Sequence, residues 1–217
     1  MINIKSFLKN NSDFTYAEFN RKFISTQYPI LGVRLPILRK FAKEIEPEYI
    51  DFDKNLTHEE ILLYIYCAGY FKTEDEQLEY LQNILPYIDN WCTCDCTGAL
   101  KQLKGEKSAQ FFFDLLKSNA EFKIRVGIIC LMKNFIKTQK LPLILKEIRK
   151  IKSDAYYVKM AIAWFYAELC AIDSTTAINE IKNTTDKFIR NKSISKAKES
   201  YRVPAPVKEE LEKLRIK

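Results

Sequence analysis

Apolar residues recur at helical spacing along almost the whole chain, and this periodicity limits the possible folds more than any other feature. Leu, Ile, Ala, Lys and Glu dominate the periodic stretches. The 217 residues include only 5 glycines and 7 prolines, which are too few turn signals for a fold of many short strands. The sequence therefore predicts an all-α protein.

Capping residues divide this pattern into separate helices. Asp13 is a plausible N-cap, Pro36 suits a first helical turn, and Thr57 followed three residues later by Glu60 forms a capping-box motif. The expected helices span about 13–27, 36–45, 57–71, 73–89, 91–103, 107–118, 120–137, 140–151, 154–171, 174–182, 184–200 and 206–215.

The connections between these helices are short, and none resembles an interdomain linker. Antiparallel helix pairs would repeat every 30–40 residues or so, which is the size of a HEAT-type unit. We therefore expect one domain over residues 1–217. Its predicted fold is an α-solenoid of degenerate HEAT-like helix pairs, curved around a concave basic cleft.

The cysteines and the single histidine offer no obvious metal or catalytic site. Cys92, Cys94 and Cys96 alternate, whereas a zinc site would usually need C-x-x-C spacing or a nearby histidine. We interpret them as small apolar residues, with metal binding a remote alternative. His58 is expected to be exposed in the first turn of a helix. We predict neither a metal nor a cofactor.

We expect no cleavable signal in the first residues, and no apolar run approaches the ~18–20 residues of a membrane span. We expect a cytoplasmic protein with reduced thiols. Residues 1–90 carry 10 Lys and Arg against 14 Asp and Glu, whereas residues 91–217 carry 25 against 14. The basic second part favours a polyanionic partner, although a solvated Lys-rich surface remains an alternative.

Four residues on three predicted helices suggest a functional site. Trp91 and Asp95 are four residues apart and share one helical face. Arg125 lies in an otherwise apolar segment, where a guanidinium needs an anion such as Asp95 or a ligand phosphate. Trp164 lies on a later helix. Taken singly, each tryptophan would more often be a core residue and Asp95 a cap or a lysine partner.

The end of the chain is basic. Arg190, Lys192, Lys196, Lys198 and Arg202 fall on one predicted helix and its exit. Cations with this spacing suit contacts to phosphates, which position a duplex without reading its sequence. An ordinary cationic surface helix is the alternative interpretation.

Several motifs, in order, resemble the AlkD-like DNA alkylation repair family, whose members include HEAT-like-repeat DNA glycosylases acting on alkylated purines. The resemblance runs from about residue 20 to about residue 213. The matching motifs are Gly32 to Arg39 (G-[IV]-x-x-P-x-x-R), Trp91 to Asp95 (W-x-x-x-D), Arg125 (R-x-[AG]-[IV]), Tyr156 to Trp164 with Lys159, and Asn191 to Val203 (N-K-x-I-x-K-x-x-E-S-[YR]).

The resemblance implies a role for each site residue. Asp95 would be the catalytic carboxylate, Trp91 and Trp164 the aromatic walls, and Arg125 a phosphate contact. The family's enzymes tend to carry Tyr about nine residues before the early Gly-[Ile/Val] element. Phe23 stands there in this chain and retains the aromatic face without the hydroxyl.

The leading hypothesis is a monomeric, cofactor-free glycosylase that removes cationic N3- or N7-alkylated purines from double-stranded DNA. Lys159 and the cations of the basic end would help to bind that DNA. Phe23 motivates the first alternative, a non-catalytic protein that binds branched or distorted DNA. A protein–protein scaffold is the second, and it leaves the basic second half unexplained.

Overall fold

The computed structural model describes residues 3–45 and 55–217, and within them it contains only helices, turns and loops. Met1 and Ile2, where the expectation about a signal sequence begins, lie outside these residues. The all-α prediction is confirmed. The helices are α1 (Ile4–Asn10), α2 (Phe14–Arg21), α3 (Leu35–Phe41), α4 (His58–Ala68), α5 (Glu74–Ile84), α6 (Trp91–Cys96), α7 (Glu106–Leu115), α8 (Glu121–Phe135), α9 (Leu141–Ile148), α10 (Tyr156–Cys170), α11 (Ser174–Asn183), α12 (Lys187–Glu199) and α13 (Ala205–Lys213).

The predicted caps open the helices where the sequence placed them. The Asp13 carboxylate accepts a hydrogen bond from the amide of Tyr16 at 2.9 Å. Thr57 and Glu60 form a complete capping box at the start of α4. Helix ends were predicted less well. The α2 helix ends at Arg21 rather than near residue 27, and α1 was not assigned from the sequence.

The chain divides into two compact units, Met1–Ala109 and Gln110–Lys217. In the first unit, α4 packs against α3, α5 and α6, and every one of its residues is buried. Beyond its polar first turn α4 is apolar on all sides, and such a helix belongs inside a domain rather than at its surface. The α4 helix is thus the centre of this unit, and its neighbours carry the solvent-facing side chains.

In the second unit, α10 has the corresponding position and packs against α8, α11 and α12. This packing of neighbouring helices is compatible with a helical-repeat solenoid. The curvature, the concave cleft and the single domain over residues 1–217 stay predictions. Within residues 3–45 and 55–217, no helix has both the length and the hydropathy of a membrane-spanning segment.

Candidate functional site

The candidate carboxylate lies on a short helix whose start is fixed by a buried cap. The Oδ1 atom of Asn90 accepts hydrogen bonds from the amides of Cys92 at 3.0 Å and Thr93 at 3.2 Å. Such a cap stabilises a helix by about 1 kcal/mol. Because the cap fixes the first turn, Trp91 and Asp95 lie one turn apart on α6 and line the same pocket.

Asp89, immediately before this cap, connects α6 to the loop that follows α2. Its carboxylate accepts hydrogen bonds from the Thr26 hydroxyl and the Gln27 amide, each at 2.8 Å. The side-chain amide of Asn90 donates a third bond at 2.9 Å. These contacts hold residues 26 and 27 in a loop, where the sequence had predicted the last turn of the helix.

Trp91 is held from two sides. Its indole N–H donates a 2.9 Å hydrogen bond to the backbone carbonyl of Phe23. The same side chain packs against a buried cluster of Ala17, Ile24 and Ile30. Trp91 is therefore half-buried, with its orientation fixed by the segment from α2 to Ile30.

Asp95 faces a pocket of about 680 Å³ within the first unit. The Trp91 indole forms one wall, and positive charge comes from Arg39 and Lys43. No role was predicted for these two cations or for Tyr66, although Arg39 is the last residue of the Gly32 to Arg39 motif. That motif is the sequence signal that could have identified Arg39, whereas Lys43 lies in no recognised motif.

A hydrogen-bonded group of cysteines and a tyrosine lines the same pocket. The Tyr66 hydroxyl lies 3.2 Å from the Cys96 sulfur, and the Arg39 guanidinium is 5.2 Å from the centre of the Tyr66 ring. The Cys92 thiol also bonds to Cys96, one helical turn away. Cys94 is buried and Cys92 packs against the cluster of Ala17, Ile24 and Ile30, as small apolar residues would. Cys96 differs in its polar contact with Tyr66.

A second, more apolar pocket of about 470 Å³ shares Trp91 with the first and is lined by aromatic rings of α2 and the residues after it. The rings of Phe19 on α2 and Phe23, two residues beyond its end, are 5.1 Å apart, and Tyr16 precedes Phe19 on α2. Phe23 is 57% exposed, so its ring is available to a ligand. The position that the resemblance singled out therefore lies directly beside Trp91.

The His58 prediction was wrong, because the imidazole is buried at the start of α4. Burial lowers its pKa to about 4, which keeps the ring neutral at physiological pH. Glu59, also buried, accepts hydrogen bonds from the amides of Leu31 and Gly32 at 2.9 and 2.7 Å. Burial raises the pKa of the Glu59 carboxyl. The Glu59 carboxylate thus holds the early glycine motif against α4, whereas the His58 imidazole lies 3.4 Å from the side-chain amide of Asn90.

Arg125 is buried in the second unit, with 6% of its surface exposed. Its guanidinium donates a 2.9 Å hydrogen bond to the backbone carbonyl of Tyr157 and lies 6.0 Å from that ring's centre. The α8 helix is thereby connected to the start of α10. The expected phosphate contact stays a prediction, and this arrangement also gives Arg125 a structural role.

Trp164 lies in a polar cluster of the same unit. The ammonium group of Lys133 is 4.7 Å from its ring centre, and its indole N–H donates to Glu168 at 3.2 Å. Arg202 donates to the other Glu168 oxygen at 2.6 Å. Burial opposes ionisation of Glu168, but Arg202 and Lys133 outweigh it, so the pKa of this carboxyl lies below its ordinary value. Lys196 and Trp164 line one pocket of about 210 Å³.

Most of the other predicted DNA-binding cations also make intramolecular contacts. Lys159 forms ion pairs with Asp154 and Asp186, at 2.8 and 2.9 Å. Lys198 pairs with Glu212 at 2.9 Å, and both side chains are exposed. Exposed pairs contribute only about 0–1 kcal/mol, so a DNA phosphate can replace the carboxylate at little cost.

Two further cations of the basic end have different partners. Arg190 donates hydrogen bonds to the backbone carbonyls of Thr184 and Lys182, which ties α12 to the end of α11. The Lys192 ammonium lies 5.9 Å from the centre of the Phe188 ring. The structure thus brings Trp91 and Asp95 together in the first unit, and Trp164, Lys196 and Arg202 in the second.

Comparison with protein-family models gives one match over most of the chain. The family is described as DNA alkylation repair enzyme, and its model matches residues 4–197. Searches of curated proteins and of solved structures gave no match to the chain.

Proposed function

Because the chain belongs to the DNA alkylation repair enzyme family, we propose that it is a DNA glycosylase for cationic alkylated purines. Its family gives it a role in DNA repair. The bond we assign is the N-glycosidic bond of N3- or N7-alkylated purines in duplex DNA. The observation that carries this proposal is the pocket in which the Asp95 carboxylate lies beside the Trp91 indole, with Arg39 and Lys43 on its wall.

The chemistry of the lesion fits a pocket that relies on one carboxylate. An N3- or N7-alkylated purine already carries a positive charge, so it can leave without being protonated. Its departure gives the sugar oxocarbenium character, which the Asp95 carboxylate would stabilise while orienting the attacking water. The face of the Trp91 indole would attract the cation, with a contribution of roughly 0.5–2 kcal/mol.

The cations of the pocket suit the backbone of the same substrate. Arg39 and Lys43 line the wall of the Asp95 pocket, so a lesion held there would place its flanking phosphates within reach of positive charge. We propose that cations of the second unit also contact DNA phosphates. We further propose that the protein binds duplex DNA as a monomer. The cations assigned in that unit are Arg125, Lys159, Arg190, Lys192, Lys196, Lys198 and Arg202.

Release of the base from a duplex containing N7-methylguanine tests the proposal. The wild-type protein should release the base, and Asp95→Asn should lose most of this activity, since an amide cannot stabilise the developing cation. Asp75→Asn is the matched control, because Asp75 is exposed in the same unit and pairs with Lys107. Equal release by wild type and Asp95→Asn would exclude Asp95 as the catalytic group, and no release by wild type would overturn the proposal.

Phe23 favours a second candidate function, binding of branched or distorted DNA without excision. Its ring is exposed beside Trp91 but lacks the hydroxyl of the tyrosine that the resemblance predicted. Salt-sensitive binding to a branched duplex, with no base release, would favour this function. The Phe23→Tyr variant separates the two, because gain of excision on restoring the hydroxyl would show that the rest of the catalytic site is intact.

A further inference from the structure

The pocket that holds Asp95 also contains two half-buried thiols on one face of α6. Cys92 and Cys96 are four residues apart and both line the pocket, whereas Cys94 between them is buried. Neither thiol has a part in the glycosylase chemistry. Their position in an open pocket of about 680 Å³ makes them accessible to small molecules.

The hydrogen bonds of the pair give the two sulfurs different roles. As a thiolate, Cys96 would accept hydrogen bonds from the Cys92 thiol and from the Tyr66 hydroxyl, which lies 3.2 Å from its sulfur. The Arg39 guanidinium adds positive charge next to Tyr66. Two donors and a nearby cation favour the thiolate form of Cys96, and the thiolate is the nucleophilic form of cysteine.

We propose that Cys92 and Cys96 form a nucleophilic thiol site, in which the Cys96 sulfur accepts an alkyl group from small soft electrophiles. The sulfur would attack the electrophilic carbon and form a thioether, while the bond from carbon to the leaving group breaks and its electron pair departs with that group. Any proton on Cys96 passes to solvent. The reaction consumes only the electrophile and the thiolate, and it places an uncharged alkyl group beside Asp95.

The ionisation states around Cys96 are consistent with this assignment. The bond from Cys92 lowers the pKa of Cys96, burial and the charge of Asp95 oppose the shift, and Tyr66 and Arg39 add to it. The same bond raises the pKa of Cys92, which therefore remains a thiol. The titratable and charged groups that line this pocket are Arg39 and Lys43, Tyr66 and Tyr70, and Cys92 and Asp95.

The experiment treats the native full-length protein with iodoacetamide in the absence of DNA and follows each cysteine by peptide mass spectrometry. At pH 7, Cys96 should react about tenfold faster than Cys92, because a larger fraction of it is thiolate. Its rate should reach half-maximum below pH ~8.5, the ordinary value of a free cysteine. Cys67 and Cys170 serve as controls for unfolding, since both are buried and burial raises the pKa of each to about 12.

Two variants at Cys92 separate the effect of its hydrogen bond to Cys96 from the effect of changing the side chain. Cys92→Ala removes the donor and should move the half-maximum for Cys96 to higher pH, whereas Cys92→Ser retains a donor and should keep it low. Preferential reaction of Cys92, or a half-maximum for Cys96 at or above pH ~8.5, would overturn the proposal. The readout needs no DNA, so failure of the glycosylase assignment would leave this result unaffected.

Discussion

The indole N–H of Trp91 donates a hydrogen bond to the backbone carbonyl of Phe23 at 2.9 Å, which joins the start of α6 to the chain beyond α2. The bond fixes the indole beside both aromatic pockets of the first unit. Trp91→Phe keeps an aromatic face and loses the donor. We expect it to lower the free energy of unfolding by about 1 kcal/mol, measured by urea denaturation.

The position of the Trp91 indole also predicts how much base release different Trp91 variants should retain. Trp91→Phe should retain more base release than Trp91→Ala, because a phenyl ring still attracts a cation whereas a methyl group does not. Equal stability of Trp91→Phe and wild type would show that the Phe23 contact contributes nothing to folding. Equal excision by the two variants would remove the aromatic wall from the mechanism.

Gly32 is predicted to tolerate no side chain. Its φ is +82°, and an added Cβ would lie 2.2 Å from the carbonyl oxygen of Asp13. Gly32→Ala should destabilise the protein by more than about 2 kcal/mol, through backbone strain and displacement of α2. Thermal and urea unfolding measure the effect. Gly69→Ala provides the comparison, since Gly69 has a helical φ of −63° and an added Cβ there would lie 3.1 Å from the carbonyl oxygen of Tyr66, so the loss should be smaller.

Burial of His58 predicts a loss of stability in acid. Its folded-state pKa is about 4, below the unfolded value of 6.5, so the unfolded chain binds the proton more readily between these values. The free energy of unfolding should therefore fall by at most about 3 kcal/mol as the pH decreases from 6.5 to 4. Below pH 4 the contribution of His58 should change no further.

His58→Gln should abolish this part of the pH dependence, which urea titrations between pH 7 and pH 4 would show. Glu59 acts in the opposite sense. Burial raises its pKa, so the stability it contributes in its protonated form is lost as the pH rises through that value. The variant must therefore be compared with wild type at each pH. An unchanged slope in His58→Gln would assign the acid sensitivity to other groups.

Local sequence signals predicted the fold class and the helix starts, because caps and apolar periodicity act over a few residues. Thr57 and Glu60 show this, since their capping box needs only one helical turn. The loop at residues 26 and 27, which was predicted to be helical, depends instead on Asp89, 62 residues beyond the amide of Gln27 that it holds, and no local pattern encodes that contact.

In the candidate site too, features encoded by neighbouring residues were predicted and contacts between distant residues were not. The spacing of Trp91 and Asp95 placed them on one face of α6, as observed in their shared pocket. Tyr66 and Lys43 reach that pocket from elements far from α6 in the chain, so the sequence did not reveal them. His58 was assigned to the surface because a helix start is usually exposed, whereas α4 is buried along its whole length.

Arg202 and Lys196 provide the last prediction, on how the second unit binds DNA. Arg202 is held by Glu168, and Lys196 lines the pocket beside Trp164. If both cations contact phosphates, Arg202→Gln and Lys196→Gln should each weaken binding to all duplex sequences alike. Each should also reduce the slope of log affinity against log salt by roughly one.

Fluorescence anisotropy at several salt concentrations measures both effects. Lys150→Gln is the matched control, because Lys150 is an exposed cation of the same unit, paired with Glu147 outside the predicted set. Glu168→Gln should change the slope in the opposite direction, since it releases Arg202 from its carboxylate. If the Arg202 and Lys196 variants behave like Lys150→Gln, the phosphate contacts must lie elsewhere, and the Glu168–Arg202 pair would then serve only to hold Trp164.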